Sequence, residues 1–174
     1  MRKKKIVLVS VILFVLCLLS YFGFNIVSKS IQKEQIAENL KVLPDFRFLD
    51  LDGSSFTNEN LKFNHSTVFI YFNSECDFCQ HEAQSISENL FELKDIQLLF
   101  VSNEPINIIK DFSEHYELSN QENIYFLHDG NNTFTSHFGA NTIPHLLFYN
   151  TNKTLIKSHR GQLNAAGILN ILND

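Results

Sequence analysis

Cys76 and Cys79 are two of only three cysteines in the chain, with Asp77 and Phe78 between them. Thiols at this spacing can make and break a disulfide, one attacking as the thiolate and the other closing the ring. The pair sits where an apolar run, Thr67-Val68-Phe69-Ile70-Tyr71-Phe72, gives way to a polar segment. That run is β-branched and aromatic and predicts a buried strand. Asn73 and Ser74 break it. From Asp77 onward Phe78, Ala83, Ile86, Leu90 and Leu93 recur at helical spacing, which predicts a helix over 77–93. Cys76 then lies at a helix start, where unpaired N–H groups and the positive end of the helix dipole favour a thiolate. Cys79 follows one turn on. A structural disulfide is the rival reading. A ring this small constrains little of the unfolded chain, so a redox role accounts better for the spacing.

A second segment far along the chain is a candidate partner for the thiols. Thr142-Ile143-Pro144 directly precedes the apolar run His145-Leu146-Leu147-Phe148-Tyr149. Proline cannot donate a ladder hydrogen bond, so it belongs at a strand boundary. A cis bond at Ile143-Pro144 would turn the Ile143 backbone toward a neighbouring loop, where it could pair with an extended substrate; a trans-proline strand edge is the plain alternative.

The elements that must position these residues follow from periodicity and turn residues. Phe46 to Leu51 and Phe56-Thr57 flank the turn Asp52-Gly53 as a hairpin. Strands are expected at 67–72, 96–101 and 124–127, and a terminal hairpin at 145–149 and 154–158. Helices are expected at 77–93, 106–116, 131–138 and 164–172. Strands alternating with helices imply an α/β fold with a largely parallel sheet, to which the late hairpin adds antiparallel edge strands.

The N-terminus bears on the compartment. Arg2, Lys3, Lys4 and Lys5 precede a charge-free stretch from Ile6 to Val27 rich in Val, Ile, Leu and Phe. As a helix that stretch spans roughly 33 Å, enough for a hydrocarbon core. A cleaved signal peptide would have a shorter apolar region and a small-residue cleavage site, for which Ser20-Tyr21-Phe22-Gly23 is poor. A lipid anchor on Cys17 is disfavoured by Leu16 before it. The expectation is a retained single-pass anchor over 1–27, a polar stalk over 28–42 and one domain over 43–174, facing the extracytoplasmic side. All 19 acidic residues follow Val27, whereas four of the 14 basic residues precede Ile6. The exported part is therefore strongly acidic, which argues against nucleic acid and anionic lipid as partners. Cys17 lies in the span and reads as a small buried hydrophobe.

Taken together, the Cys-x-x-Cys after an apolar strand, Ile143-Pro144 before a late apolar strand, the terminal hairpin and Gly161 ahead of the last helix resemble the thioredoxin-like superfamily. The N-terminal anchor and the extra hairpin resemble its membrane-anchored redoxins of the TlpA/ResA type. The resemblance implies a thioredoxin-like α/β fold, a mixed central sheet flanked by helices with an extra N-terminal β-hairpin, behind a single transmembrane helix. It implies a thiol–disulfide oxidoreductase with no cofactor beyond the redox-active Cys76–Cys79 disulfide and no metal. Its partners would be exported protein thiols and disulfides, with apocytochrome c thiols a family-based possibility, and a membrane or periplasmic electron donor. Cys76 is the implied nucleophile and Cys79 the resolving thiol; Ile143 and Pro144 form a cis-proline loop for substrate, and Phe78 in the spacer is exposed to it.

Several positions depart from the thioredoxin pattern. Glu75 stands where thioredoxins carry Trp, and Ile70 replaces their buried acid. That leaves Glu82, three residues after Cys79, as the candidate acid/base; an ordinary exposed helix glutamate is its other reading. His81 reads as a solvated helix residue and His145 as a strand-surface histidine. The spacer lacks the histidine of strong oxidants of this fold, which leans toward a reductant. A peroxiredoxin, the first rival, needs a Thr where this chain has Asn73. A metal carrier, the second, would have only two thiols and one His, an incomplete zinc site.

Overall fold

The computed structural model describes the backbone of residues 2–173 and the side chains of residues 17–173. The chain divides into two units, Met1–Glu38 and Asn39–Asp174. The first is a single helix, α1 (Arg2–Asn39), which runs on through most of the segment expected as a stalk. Among the described residues no helix is long and apolar enough to cross a membrane. The expected anchor falls mostly on residues 1–16, whose side chains lie outside those described.

The second unit is built on a seven-stranded sheet in the order β2-β1-β5-β4-β3-β6-β7. The strands are β1 (Arg47–Leu49), β2 (Ser55–Thr57), β3 (Ser66–Tyr71), β4 (Ile96–Ser102), β5 (Ile124–His128), β6 (His145–Tyr149) and β7 (Leu155–Arg160). β3, β4 and β5 are parallel. β6 pairs antiparallel with β3 and with β7, so the terminal hairpin closes one edge. The leading hairpin closes the other edge, through the pairing of Leu49 with His128. The sheet is therefore mixed, with more antiparallel pairing than alternation alone implied. At the leading hairpin's turn Gly53 has φ +80 and donates to Asp50 O, a conformation that suits glycine.

The helices are α2 (Asp77–Ser87), α3 (Leu90–Leu93), α4 (Ile106–His115), α5 (Thr133–His137) and α6 (Ala165–Asn173). The helix expected over 77–93 is interrupted. Asn89 leaves helical geometry at φ −130, and its side-chain amide donates to Ser85 O, closing α2 before α3 restarts.

Strand alternation divides the core between the two sheet faces. Val68, Ile70, Phe72, Leu98, Phe100, Phe126, Leu146 and Phe148 join Ala83 and Ile86 of α2, Ile109 and Phe112 of α4, and Ile168 of α6. On the other face Phe69 packs against Phe46, Phe134, Phe138 and Tyr149, with ring centroids 5.3–6.0 Å apart. Phe69 is fully buried at the centre of that aromatic layer. Its replacement by alanine is expected to lower unfolding free energy by about 3–5 kcal/mol, read as a lower urea midpoint at unchanged slope.

Candidate active site

The thiols lie at the C-terminal end of β3, where the chain leaves the sheet and turns into α2. Cys76 is the N-cap of that helix, and its Sγ accepts a hydrogen bond from the Cys79 amide at 3.4 Å. Both cysteines are free thiols. They differ in access: Cys76 is half-buried, whereas Cys79 is 1% exposed beneath it. Burial pushes the Cys79 thiol well above its ordinary range, and the neighbouring Cys76 and Glu82 push in the same direction. Cys79 is therefore held protonated, while Cys76 faces solvent with the N-terminus of α2 behind it.

Glu82 is not the ordinary exposed helix glutamate that was its other reading. It is fully buried on the inner face of α2, one turn below Cys79. Oε1 accepts the Leu163 amide at 3.0 Å, and Oε2 is buried without a protein partner among the described residues. Burial raises its pKa to about 8, partly offset by the hydrogen bond from Leu163. A carboxyl that titrates near neutral pH beside a protonated thiol is suited to general acid/base work. Ile70, at the position of the missing buried acid, is itself fully buried.

The Ile143-Pro144 peptide bond is cis. Tyr71 pairs with His145, so Pro144 stands beside the end of β3, at the same sheet end as Cys76. The Pro144 carbonyl accepts the Gly161 amide at 2.9 Å. Gly161 has φ +98, which a Cβ would strain. The Ile143 backbone has no hydrogen-bond partner among the described residues, and its side chain is exposed. Phe78 is also exposed, at 63%.

His145 departs from expectation. It is 2% exposed rather than on the strand surface, because β6 is covered on both faces. Its Nε2 pairs with Ser158 Oγ at 2.8 Å. Burial, then the electrostatic influence of Arg160 and His159, lowers its pKa to about 4. It stays neutral at physiological pH and brings no positive charge to the thiols. His81 is exposed, as expected. Among the described residues no group of three or more His, Cys, Asp and Glu could hold a metal ion.

Sequence reasoning passed over the residues that hold the loop before Cys76. Glu104 accepts from the Ser74 amide and hydroxyl at 2.8 and 2.7 Å, and Gln80 Nε2 donates to the Ser74 carbonyl at 2.8 Å. One signal pointed there: an acid placed just after the apolar run that forms β4. Parallel neighbours end at the same level, so once β4 lies beside β3 an acid at that position stands next to the loop that leaves β3.

Residues 40–158 match the AhpC/TSA family. No curated protein matches the chain. Among solved structures, the exposed lipoprotein thioredoxin of Streptococcus pneumoniae superposes with TM-score 0.58 at 22% identity, over 75% of this chain and 98% of that one. DsbF of Mycobacterium tuberculosis gives TM-score 0.64 at 18% identity, over 78% and 95%. Peroxidoxin BcpB of the same organism gives 0.64 at 16%, over 76% and 94%. These likenesses show a thioredoxin-like fold.

Proposed function

The chain belongs to the AhpC/TSA family of thioredoxin-fold redox proteins, and we propose that it is a thiol–disulfide oxidoreductase working through Cys76 and Cys79. The observation that carries this reading is the unequal pair: a half-exposed Cys76 capping α2 over a buried Cys79 with Glu82 one turn behind it. The Cys76 thiolate attacks one sulfur of a client disulfide. The client S–S bond breaks, a mixed disulfide forms, and the released client thiolate takes a proton from solvent. Glu82 in its carboxylate form then takes the Cys79 proton, and Cys79 attacks Cys76 Sγ. The second client thiol departs, leaving the Cys76–Cys79 disulfide. An external dithiol returns the pair to the reduced form, as a reductant requires.

The exposed Phe78 and the unpaired Ile143 backbone support an extended polypeptide as client, laid along the edge beside the thiols. The basic and then apolar N-terminus supports an anchor over 1–27, with the domain on the extracytoplasmic side. Clients would then be exported proteins, and the electron donor would reside in the membrane or periplasm.

The family match also favours a peroxidase as the second reading. Against it stands Asn73, three residues before Cys76, whose side chain is engaged with the Glu75 amide at 3.0 Å. The test compares two substrates with dithiothreitol as donor. Insulin disulfides are expected to be reduced well above the uncatalysed rate, with hydroperoxide consumption at background. Hydroperoxide turnover faster than insulin reduction would reverse the assignment.

A further inference from the structure

The loop between β3 and α2 is bound at every polar atom of Ser74. The carboxylate of Glu104 receives the Ser74 amide on Oε2 at 2.8 Å and the Ser74 hydroxyl on Oε1 at 2.7 Å. The Ser74 carbonyl receives Gln80 Nε2 at 2.8 Å, from the first turns of α2. Two residues on, the Cys76 amide donates to Asn73 O at 3.2 Å. The segment that presents Cys76 is thus strapped between α2 and one carboxylate on the neighbouring strand's exit.

Glu104 is itself held. Ser102 Oγ, fully buried at the end of β4, donates to Oε2 at 3.0 Å and accepts the Glu104 amide at 3.2 Å. His128, at the end of β5, meets the Glu104 carbonyl through Nδ1 at 2.8 Å. A carbonyl only accepts, so Nδ1 carries the proton. The ends of β4 and β5 therefore hold Glu104, through its carboxylate, amide and carbonyl, and its carboxylate in turn holds the loop that leaves β3. Charge-assisted hydrogen bonds to a carboxylate are the strong kind, and a two-point clasp fixes orientation as well as distance.

We infer that Glu104 is a positioning residue, a two-point clasp on Ser74 that sets the orientation of the Cys76 thiol relative to α2. The inference builds on the reading of Cys76 as nucleophile, but the clasp can be read without any redox turnover. A flexible Ser74 would let the N-cap rotate, separating Cys76 Sγ from the Cys79 amide and from the N-terminus of the helix.

The experiment uses the full-length reduced protein and its Glu104→Ala, Glu104→Gln and Ser74→Ala variants. Amide hydrogen exchange is followed at Ser74 and at Leu147 in β6, and iodoacetamide alkylation at Cys76 is timed at fixed pH. Glu104→Ala should speed Ser74 exchange at least about tenfold and change the Cys76 alkylation rate at least about threefold, with Leu147 exchange unchanged. Glu104→Gln, which keeps one acceptor, should recover part of both effects. Unchanged Ser74 exchange and alkylation in Glu104→Ala would overturn the inference. Should that variant also loosen Leu147, Ser74→Ala decides: it removes only the hydroxyl arm and should shift Cys76 alkylation in the same direction by a smaller factor, and no shift would overturn the clasp. If wild-type protein leaves insulin disulfides intact while these differences hold, the proposed activity fails and the positioning role stands.

Discussion

Cys76→Ser should abolish insulin-disulfide reduction, and Cys79→Ser should yield a protein that accumulates mixed disulfides with its clients. The asymmetry follows from burial. Cys76 is half-buried at the N-cap of α2, so a client sulfur can reach it, whereas Cys79 is 1% exposed and its thiol is held well above its ordinary range. Only the accessible thiol can begin the exchange, since its thiolate is the attacking species. Loss of Cys76 removes the bond-forming atom, and the expected fall in rate is at least roughly a thousandfold. Loss of Cys79 leaves the first step intact and removes the second. Non-reducing electrophoresis after mixing with a disulfide client should then show a covalent adduct at Cys76 that dithiothreitol releases. Reduction activity retained by Cys76→Ser, or adducts forming through Cys79 instead, would overturn the assignment of roles.

Glu82→Gln is expected to stabilise the protein in alkaline solution while slowing its chemistry. The carboxyl titrates at about 8 in the folded protein, raised from 4.5, chiefly by burial. The folded state therefore holds a proton that the unfolded chain releases across that window. Where the native state binds more protons, stability falls as pH rises. The cost of Glu82 is absent below about pH 4.5, grows between 4.5 and 8, and is complete above 8. Glutamine has no charge to bury and keeps an oxygen for the Leu163 amide. The variant should match wild type near pH 4 and exceed it near pH 9, by up to about 5 kcal/mol. Urea denaturation at a series of pH values measures this. The same substitution removes the group assigned to take the Cys79 proton, so resolution of a preformed mixed disulfide should slow about a hundredfold. Equal stability at pH 9 would show that Glu82 is ionised without cost, and unchanged resolution would remove it from the mechanism.

The element order was legible along the chain because each element carries its own period. The run 67–72 is β-branched or aromatic at every position and all but its last residue lies in β3, covered on both faces by helices and aromatic rings. Asp52-Gly53 announced the leading hairpin, and Ile143-Pro144 the start of β6. The break at Asn89 is not visible in the apolar spacing, which carries on through it, whereas Asn89 turns out of the helix with its amide on Ile86 O and its side chain on Ser85 O. His145 was misplaced for a related reason. A polar residue at the head of an apolar strand reads as surface, but this strand lies inside the sheet, and Ser158 on β7 pairs with its Nε2.

The reactive pair could be read from neighbouring residues alone: its spacing, its place at a strand-to-helix junction and the proline segment far downstream. These are local properties, written in neighbouring residues and in turn chemistry. Tertiary structure decided what surrounds the pair. Glu82 could have been any helix glutamate until Leu163, 81 positions away, donated its amide to Oε1 and the core closed over it. Glu104 gained a role only when β4 came to lie beside β3, bringing its carboxylate to Ser74 across 30 positions. Burial and hydrogen-bond partnership depend on which strands become neighbours, and that depends on the whole chain's packing, which no single stretch of residues encodes.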